Sequence, residues 1–83
     1  MDQYLILARS VTYAQRMQKT LGQAGIRSWI FRAPRDITEF GCAYVVQINA
    51  SDFYRTLNLL YRGPFGPVQI FSYQNGAYRE VNL

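Results

Sequence analysis

Apolar residues in this 83-residue chain switch repeatedly between the two-residue spacing of a strand and the three- to four-residue spacing of a helix. Residues 3–8 read QYLILA, which places Leu5 and Leu7 on one face and Tyr4 and Ile6 on the other. Both faces of such a strand can be covered. We therefore expect it at the centre of a sheet.

A helix is predicted next, because Ala14, Met17, Leu21 and Ala24 recur at helical spacing. Ser10 or Thr12 can cap its start, and Gly25 stands where a left-handed C-cap is expected. The second strand is predicted at 27–32 and stops before Pro34.

Residues 33–41 lack a sustained period and form the one long irregular connection, with a single helical turn expected at 36–39. Cys42 follows, and residues 43–48 alternate as a third strand. A second helix opens at Ser51 with a predicted buried stripe, and residues 68–73 form a fourth strand. The stripe consists of Phe53, Leu57, Leu60 and Tyr61.

The order β-α-β-β-α-β predicts one α+β domain of ferredoxin-like plan over residues 1–83, since the chain is too short for two cores. We expect an antiparallel sheet in the order four-one-three-two with both helices on one face. Asn75-Gly76 predicts a C-terminal hairpin over about 68–82, with an edge strand at 78–81. In this plan Cys42 starts a central strand, and we expect it beside the C-terminal ends of both helices.

Composition excludes several classes of function. The chain has no histidine and one cysteine, which cannot build an imidazole triad or a tetrahedral metal site, so we expect no metal and no cofactor. The five acids show no paired spacing, and Asp36, Glu39 and Asp52 suit helix caps. A carrier or binding protein is therefore favoured over a conventional enzyme.

The net charge of +4 can steer anionic partners, but the basic residues are spread along the chain as on an ordinary solvated surface. No apolar stretch approaches the ~20 residues that cross a bilayer. The start of the chain does not read as a secretory leader, and one cysteine suits a reducing compartment. We expect a cytoplasmic protein without a membrane partner.

Cys42 is the residue through which covalent chemistry has to run. A reactive thiolate needs exposure and positive charge, which Arg32 and Arg35 on the preceding loop can supply, whereas helix C-termini would raise the pKa of the thiol. Gly41-Cys42 at a loop-to-strand junction also suits a small apolar side chain that enters the core. The residues alone leave both interpretations open.

Three segments carry a family resemblance and together cover most of the chain. They are Tyr4-Leu5-Ile6-Leu7 with Arg9-Ser10-Val11-Thr12 and Ala14, then Ala24-Gly25-Ile26, then Pro34-Arg35-Asp36-Ile37 leading into Cys42. This layout resembles the family of small selenium/sulfur carrier-like proteins, known chiefly as a domain of unknown function. In that family a Pro-Arg pair precedes a Cys-Gly that begins the third strand.

The resemblance implies that Cys42 holds a persulfide or perselenide. It would receive the atom from a desulfurase or selenocysteine lyase and pass it to an acceptor enzyme such as a selenophosphate synthetase. Pro34 and Arg35 would shape the approach, and Arg32 and Gly41 complete the expected site. This chain departs from the family pattern at Ala43, where Gly is typical, and a conformation that requires Gly would be strained there.

An alternative function uses the open face of the sheet. Trp29 and Phe31 share one face of their strand, as do Phe71 and Tyr73 of theirs. These rings could stack nucleic-acid bases or meet a second copy of the chain. The third strand lacks the signature of four-stranded RNA-binding sheets, which argues against nucleic acid. A homodimer through the sheet face is the plainer expectation.

Overall fold

Five antiparallel strands form one sheet, and two helices cover one of its faces. The computed structural model describes residues 3–37, 43–63, 65 and 68–81, with only the backbone of Asp36. The strands are β1 (Gln3–Ala8), β2 (Ser28–Arg32), β3 (Tyr44–Asn49), β4 (Ile70–Gln74) and β5 (Ala77–Glu80). The helices are α1 (Val11–Gln23) and α2 (Phe53–Arg62), with 3-10 turns at Arg35–Ile37 and Ala50–Asp52.

The strands lie in the order β2-β3-β1-β4-β5, which confirms the predicted α+β, ferredoxin-like arrangement and its four-one-three-two order. β1 is central, pairing with β3 from Gln3↔Asn49 to Ala8↔Tyr44 and with β4 on its other side. β5 extends the sheet beside β4, one residue earlier than predicted.

The larger core lies between the helices and the sheet. Ile6, Val46 and Ile48 point from the central strands toward Met17 of α1 and Leu60 of α2, and all five side chains are fully buried. The predicted alternation of β1 is confirmed, because Leu5 belongs instead to a second cluster on the opposite face. Apolar burial of this kind is the main favourable term in folding.

α1 begins and ends as its sequence predicts. The Ser10 hydroxyl accepts a hydrogen bond from the Tyr13 backbone N–H at 3.1 Å, which satisfies one free donor of the first turn. At the other end Gly25 has φ +79°, and the Ile26 N–H reaches back to the Leu21 carbonyl at 2.9 Å.

The buried stripe of α2 differs from the predicted one. The helix begins at Phe53 after a 3-10 turn, and its buried positions are Phe53, Thr56 and Leu60. Tyr61 is one residue further round the helix and remains 47% exposed, so its predicted burial is wrong. Asp52 occupies the N-cap position of α2, as suggested, but its carboxylate accepts a hydrogen bond from Arg55 instead of capping a backbone amide.

The hairpin between β4 and β5 has the turn that Asn75-Gly76 predicts. Asn75 has φ +52° and Gly76 has φ +77°, the two positive angles of a type I′ turn. Within the part of the chain that the structure describes, no helix is long and apolar enough to cross a membrane.

Two glycines at the end of α1 give opposite predictions. A Cβ on either Gly22 or Gly25 would meet no heavy atom within 4 Å, so backbone preference alone decides the effect. We expect Gly22→Ala to raise the free energy of unfolding by about 0.5–1 kcal/mol, since Gly22 is helical. Gly25→Ala should lower it by about 1 kcal/mol because of the positive φ. Urea denaturation checks both, and effects of the same sign would contradict this account.

Thr56 gives a second stability prediction. Its side chain is fully buried, and its hydroxyl has no hydrogen-bond partner among the described residues. Thr56→Val replaces that hydroxyl with a methyl of similar size, so we expect the free energy of unfolding to rise by about 1 kcal/mol. Thr56→Ser keeps the hydroxyl and loses the methyl, and it should lower stability by about 1 kcal/mol. Loss of stability in the valine variant would reveal a partner for the hydroxyl.

Candidate functional site

The structure describes three of the five predicted site residues. Arg32 ends β2, Pro34 follows it, and Arg35 opens the 3-10 turn. Gly41 and Cys42 lie outside the described residues. The described surroundings of the expected site are the segments that lead into and out of residues 38–42.

Both of those segments are anchored on the sheet. The Ala33 N–H donates to the Ala43 carbonyl at 2.9 Å, which continues the pairing of β2 with β3 beyond their last strand residues. Ala33 is buried beside Val45, and Ile37 and Ala43 pack on the same cluster. The connection from 34 to 42 thus leaves and rejoins the sheet at two hydrogen-bonded neighbours.

The same end of the sheet carries the start of α1. Tyr44 pairs with Ala8, the last residue of β1, and Ala8 lies two residues before the N-cap Ser10. The expectation that both helices end here is therefore wrong for α1, which begins here, whereas α2 does end here. The reason is topological: β1 and β3 are antiparallel, so the end of β1, from which the chain continues into α1, lies beside the start of β3.

Because α1 begins at this end of the sheet, its dipole has the opposite effect on a nearby thiol from the one expected from the sequence. A helix N-terminus carries partial positive charge and favours a nearby thiolate, and α1 has no acidic residue in its first turn to offset that charge. The α2 C-terminus acts in the opposite sense, but Arg62 occupies its last turn. This end of the molecule is thus more electropositive than the sequence suggested.

Four exposed arginines belong to this end of the sheet. They follow β1, end β2, begin the 3-10 turn and end α2, and they are Arg9, Arg32, Arg35 and Arg62. Arg9 also lies over the Tyr13 ring, 4.8 Å from its centroid. Sequence analysis selected two of these arginines by their closeness in sequence to Cys42. The other two come together only through the strand pairing.

Ala43 fits its place without strain. Among the described residues other than glycine, only Asn75 has a positive φ. The backbone of Ala43 is therefore one that any L-residue adopts, and the departure from the family glycine imposes no conformational cost at this position. The strain considered from the sequence does not arise there.

The opposite face of the sheet differs from its helix-covered face. Its central strands present aliphatic Leu5 and Val45, whereas exposed rings stand at its flanks, Trp29 and Phe31 on β2 and Tyr73 on β4. Phe71 shares this face but is buried. Base-stacking sheets carry aromatic residues on their central strands, so this arrangement differs from theirs.

A shallow groove of about 160 Å³ opens on that face. Leu5, Val45 and Gln47 form its floor, with Phe31 and Tyr78 beside it. Pro34 and Arg32 also line it, so the groove adjoins the start of the connection that leads to Cys42. Sequence alternation placed Phe31 on this face, but no sequence signal indicated the groove, because its lining comes from four separate segments.

Comparison with known families gives a match over most of the chain. The family described as "Putative Se/S carrier protein-like" matches residues 3–72, well over half of the chain. Searches of curated proteins and of solved structures find no match. The matched range contains β1 to β3, both helices, the connection with Cys42 and the first part of β4. The chain therefore belongs to the Se/S carrier protein-like family.

Proposed function

We propose that this protein carries a single sulfur or selenium atom on Cys42 as a persulfide or perselenide. The family supports the class of function, and the described surroundings of residues 38–42 support the anionic chemistry. The observation that carries the proposal is that strand pairing places the α1 N-terminus, Arg9 and Arg32 at the end of the sheet where β3 starts, two residues after Cys42.

The transfer needs one nucleophilic thiolate and no external oxidant. The Cys42 thiolate attacks the outer sulfur of a donor persulfide, the donor S–S bond breaks, and the donor cysteine leaves as a thiolate. Delivery is the same exchange in reverse, since an acceptor thiolate attacks the outer atom and Cys42 leaves. Because the chain has no second cysteine, the acceptor thiol must belong to a partner or to a small reductant.

Positive charge at this end of the sheet assists both steps. It favours the thiolate over the thiol before loading and stabilises the anionic outer atom after loading. Each exposed arginine stabilises the anionic sulfur or selenium only modestly, because solvent screens its charge. The stabilisation therefore comes from the four arginines together and from the helix N-terminus more than from any one side chain. Donor and acceptor are proposed to be enzymes of the reducing cytoplasm, a desulfurase or selenocysteine lyase and a selenium- or sulfur-using enzyme.

Loading on Cys42 is the first prediction of this proposal. After incubation with a persulfide donor, the intact mass of the folded protein should rise by one sulfur atom, and a thiol reductant should reverse the gain. The matched control is Cys42→Ser, which should show no gain. A reducible gain that persists in the serine variant, or none in the native chain, would remove Cys42 from the role.

Charge near the thiol gives a second prediction. We expect iodoacetate, which is anionic, to react with Cys42 faster relative to neutral iodoacetamide than it does with a short unstructured cysteine peptide. Arg35→Gln should lower that ratio about two- to threefold, and added salt should weaken the difference.

Arg27→Gln is the matched control, because it removes the same charge just before β2, at the opposite end of the sheet. The ratio should stay at its native value in this variant. Equal losses in both variants would reduce the effect to net charge and contradict a local electropositive site.

A further inference from the structure

The sheet face opposite the helices is almost free of charge, in a chain of net charge +4. Among the strand residues that the structure describes on this face, Glu80 is the only Asp, Glu, Lys or Arg, and its carboxylate accepts a hydrogen bond from Gln69 at 3.0 Å. Four of the eight arginines belong to one end of the sheet instead, and these are Arg9, Arg32, Arg35 and Arg62. A surface that selects nucleic acid would carry basic residues across the face.

Three of the five exposed aromatic side chains among the described residues lie on this face, and the other two, Tyr54 and Tyr61, lie on α2. Phe31 is 50% exposed, and Trp29 and Tyr73 are each 39% exposed. Aromatic enrichment with depletion of charge characterises the buried centre of a protein interface. Exposed apolar surface of this kind marks interaction sites in folded domains.

We propose that this face binds a second copy of the same chain, forming a weak symmetric homodimer. Around a two-fold axis each patch meets itself, so any charge near the axis would face its own like charge. Apart from Arg32, which lines the groove, and Glu80, the described residues of the face carry no such charge, which limits that repulsion between two molecules of equal positive charge. An acidic or basic partner of another kind would gain nothing electrostatically from such a face.

The groove strengthens the case for aromatic contacts across the dimer. Its volume of about 160 Å³ is close to the ~150 Å³ of a cavity that accepts benzene. An exposed ring of the other copy can therefore seat in it, over the Leu5 and Val45 floor. Rings buried in this way supply much of the binding energy of known interfaces.

The size of the face sets the expected strength. Five strands ~4.8 Å apart and about five residues long, at ~3.3 Å per residue, give a face of roughly 20 by 17 Å. This is smaller than the ~800 Å² per partner of a standard interface, so a concentration-dependent dimer is expected. The inference goes beyond the carrier function and does not rest on it, because it is argued from the open face of the sheet, although Arg32 and Pro34 of the expected site also line the groove.

Sedimentation velocity in reducing buffer, from about 10 µM to about 1 mM protein, tests the proposal in the range where weak interfaces associate. We expect the mass to rise from monomer to dimer across this range. The emission of Trp29, the only tryptophan, should shift to shorter wavelength in parallel as its ring leaves water. Monomer throughout would overturn the proposal, as would larger, open-ended assemblies.

Two lysine substitutions distinguish the face from general stickiness. Phe31→Lys places a charge on the open face, and we expect dimerisation to weaken at least tenfold, to about the limit of detection. Tyr61→Lys makes a comparable change on α2, at a ring of similar exposure, and should leave dimerisation unchanged. Equal weakening in both variants, or none in Phe31→Lys, would show that the copies meet elsewhere.

Discussion

The antiparallel pairing of β1 with β3 is the constraint on which the rest of this structure depends. Its register, from Gln3↔Asn49 to Ala8↔Tyr44, decides which side chains meet the helices and which face the other way. It also pairs Tyr44, the first residue of β3, with Ala8 at the end of β1, shortly before α1 begins. One set of strand hydrogen bonds therefore defines the core, the open face and the end of the sheet at which α1 begins.

The fold has two kinds of surface. Cationic groups gather at one end of the sheet, through the α1 N-terminus and arginines that come from four parts of the chain. Uncharged aromatic surface occupies the broad face, with the groove between Phe31 and Tyr78. The arginines proposed to assist transfer and the proposed association surface adjoin each other, because Arg32 and Pro34 line the groove.

Local patterns predicted most of the fold, since strand alternation, the Ser10 cap, Gly25 and Asn75-Gly76 each act over a few residues. Errors arose where tertiary placement decides. Tyr61 was assigned to the core because it lies four residues after Leu57, but the buried stripe runs through Thr56 and Leu60, which leaves Tyr61 outside it. The polarity of α1 relative to β3 was misjudged, which hid the helix N-terminus and Arg9 from the predicted site. The groove could not be predicted, because four segments have to fold together to form it.

The reactivity of Cys42 in the folded protein tests the central claim most directly. Its alkylation rate should be measured against pH in the folded state and again in denaturant. The account predicts that the folded protein reacts readily at neutral pH, with a midpoint below the ~8.5 of a free thiol. A thiol that reacts only after unfolding would make Cys42 a core residue and would contradict the carrier function.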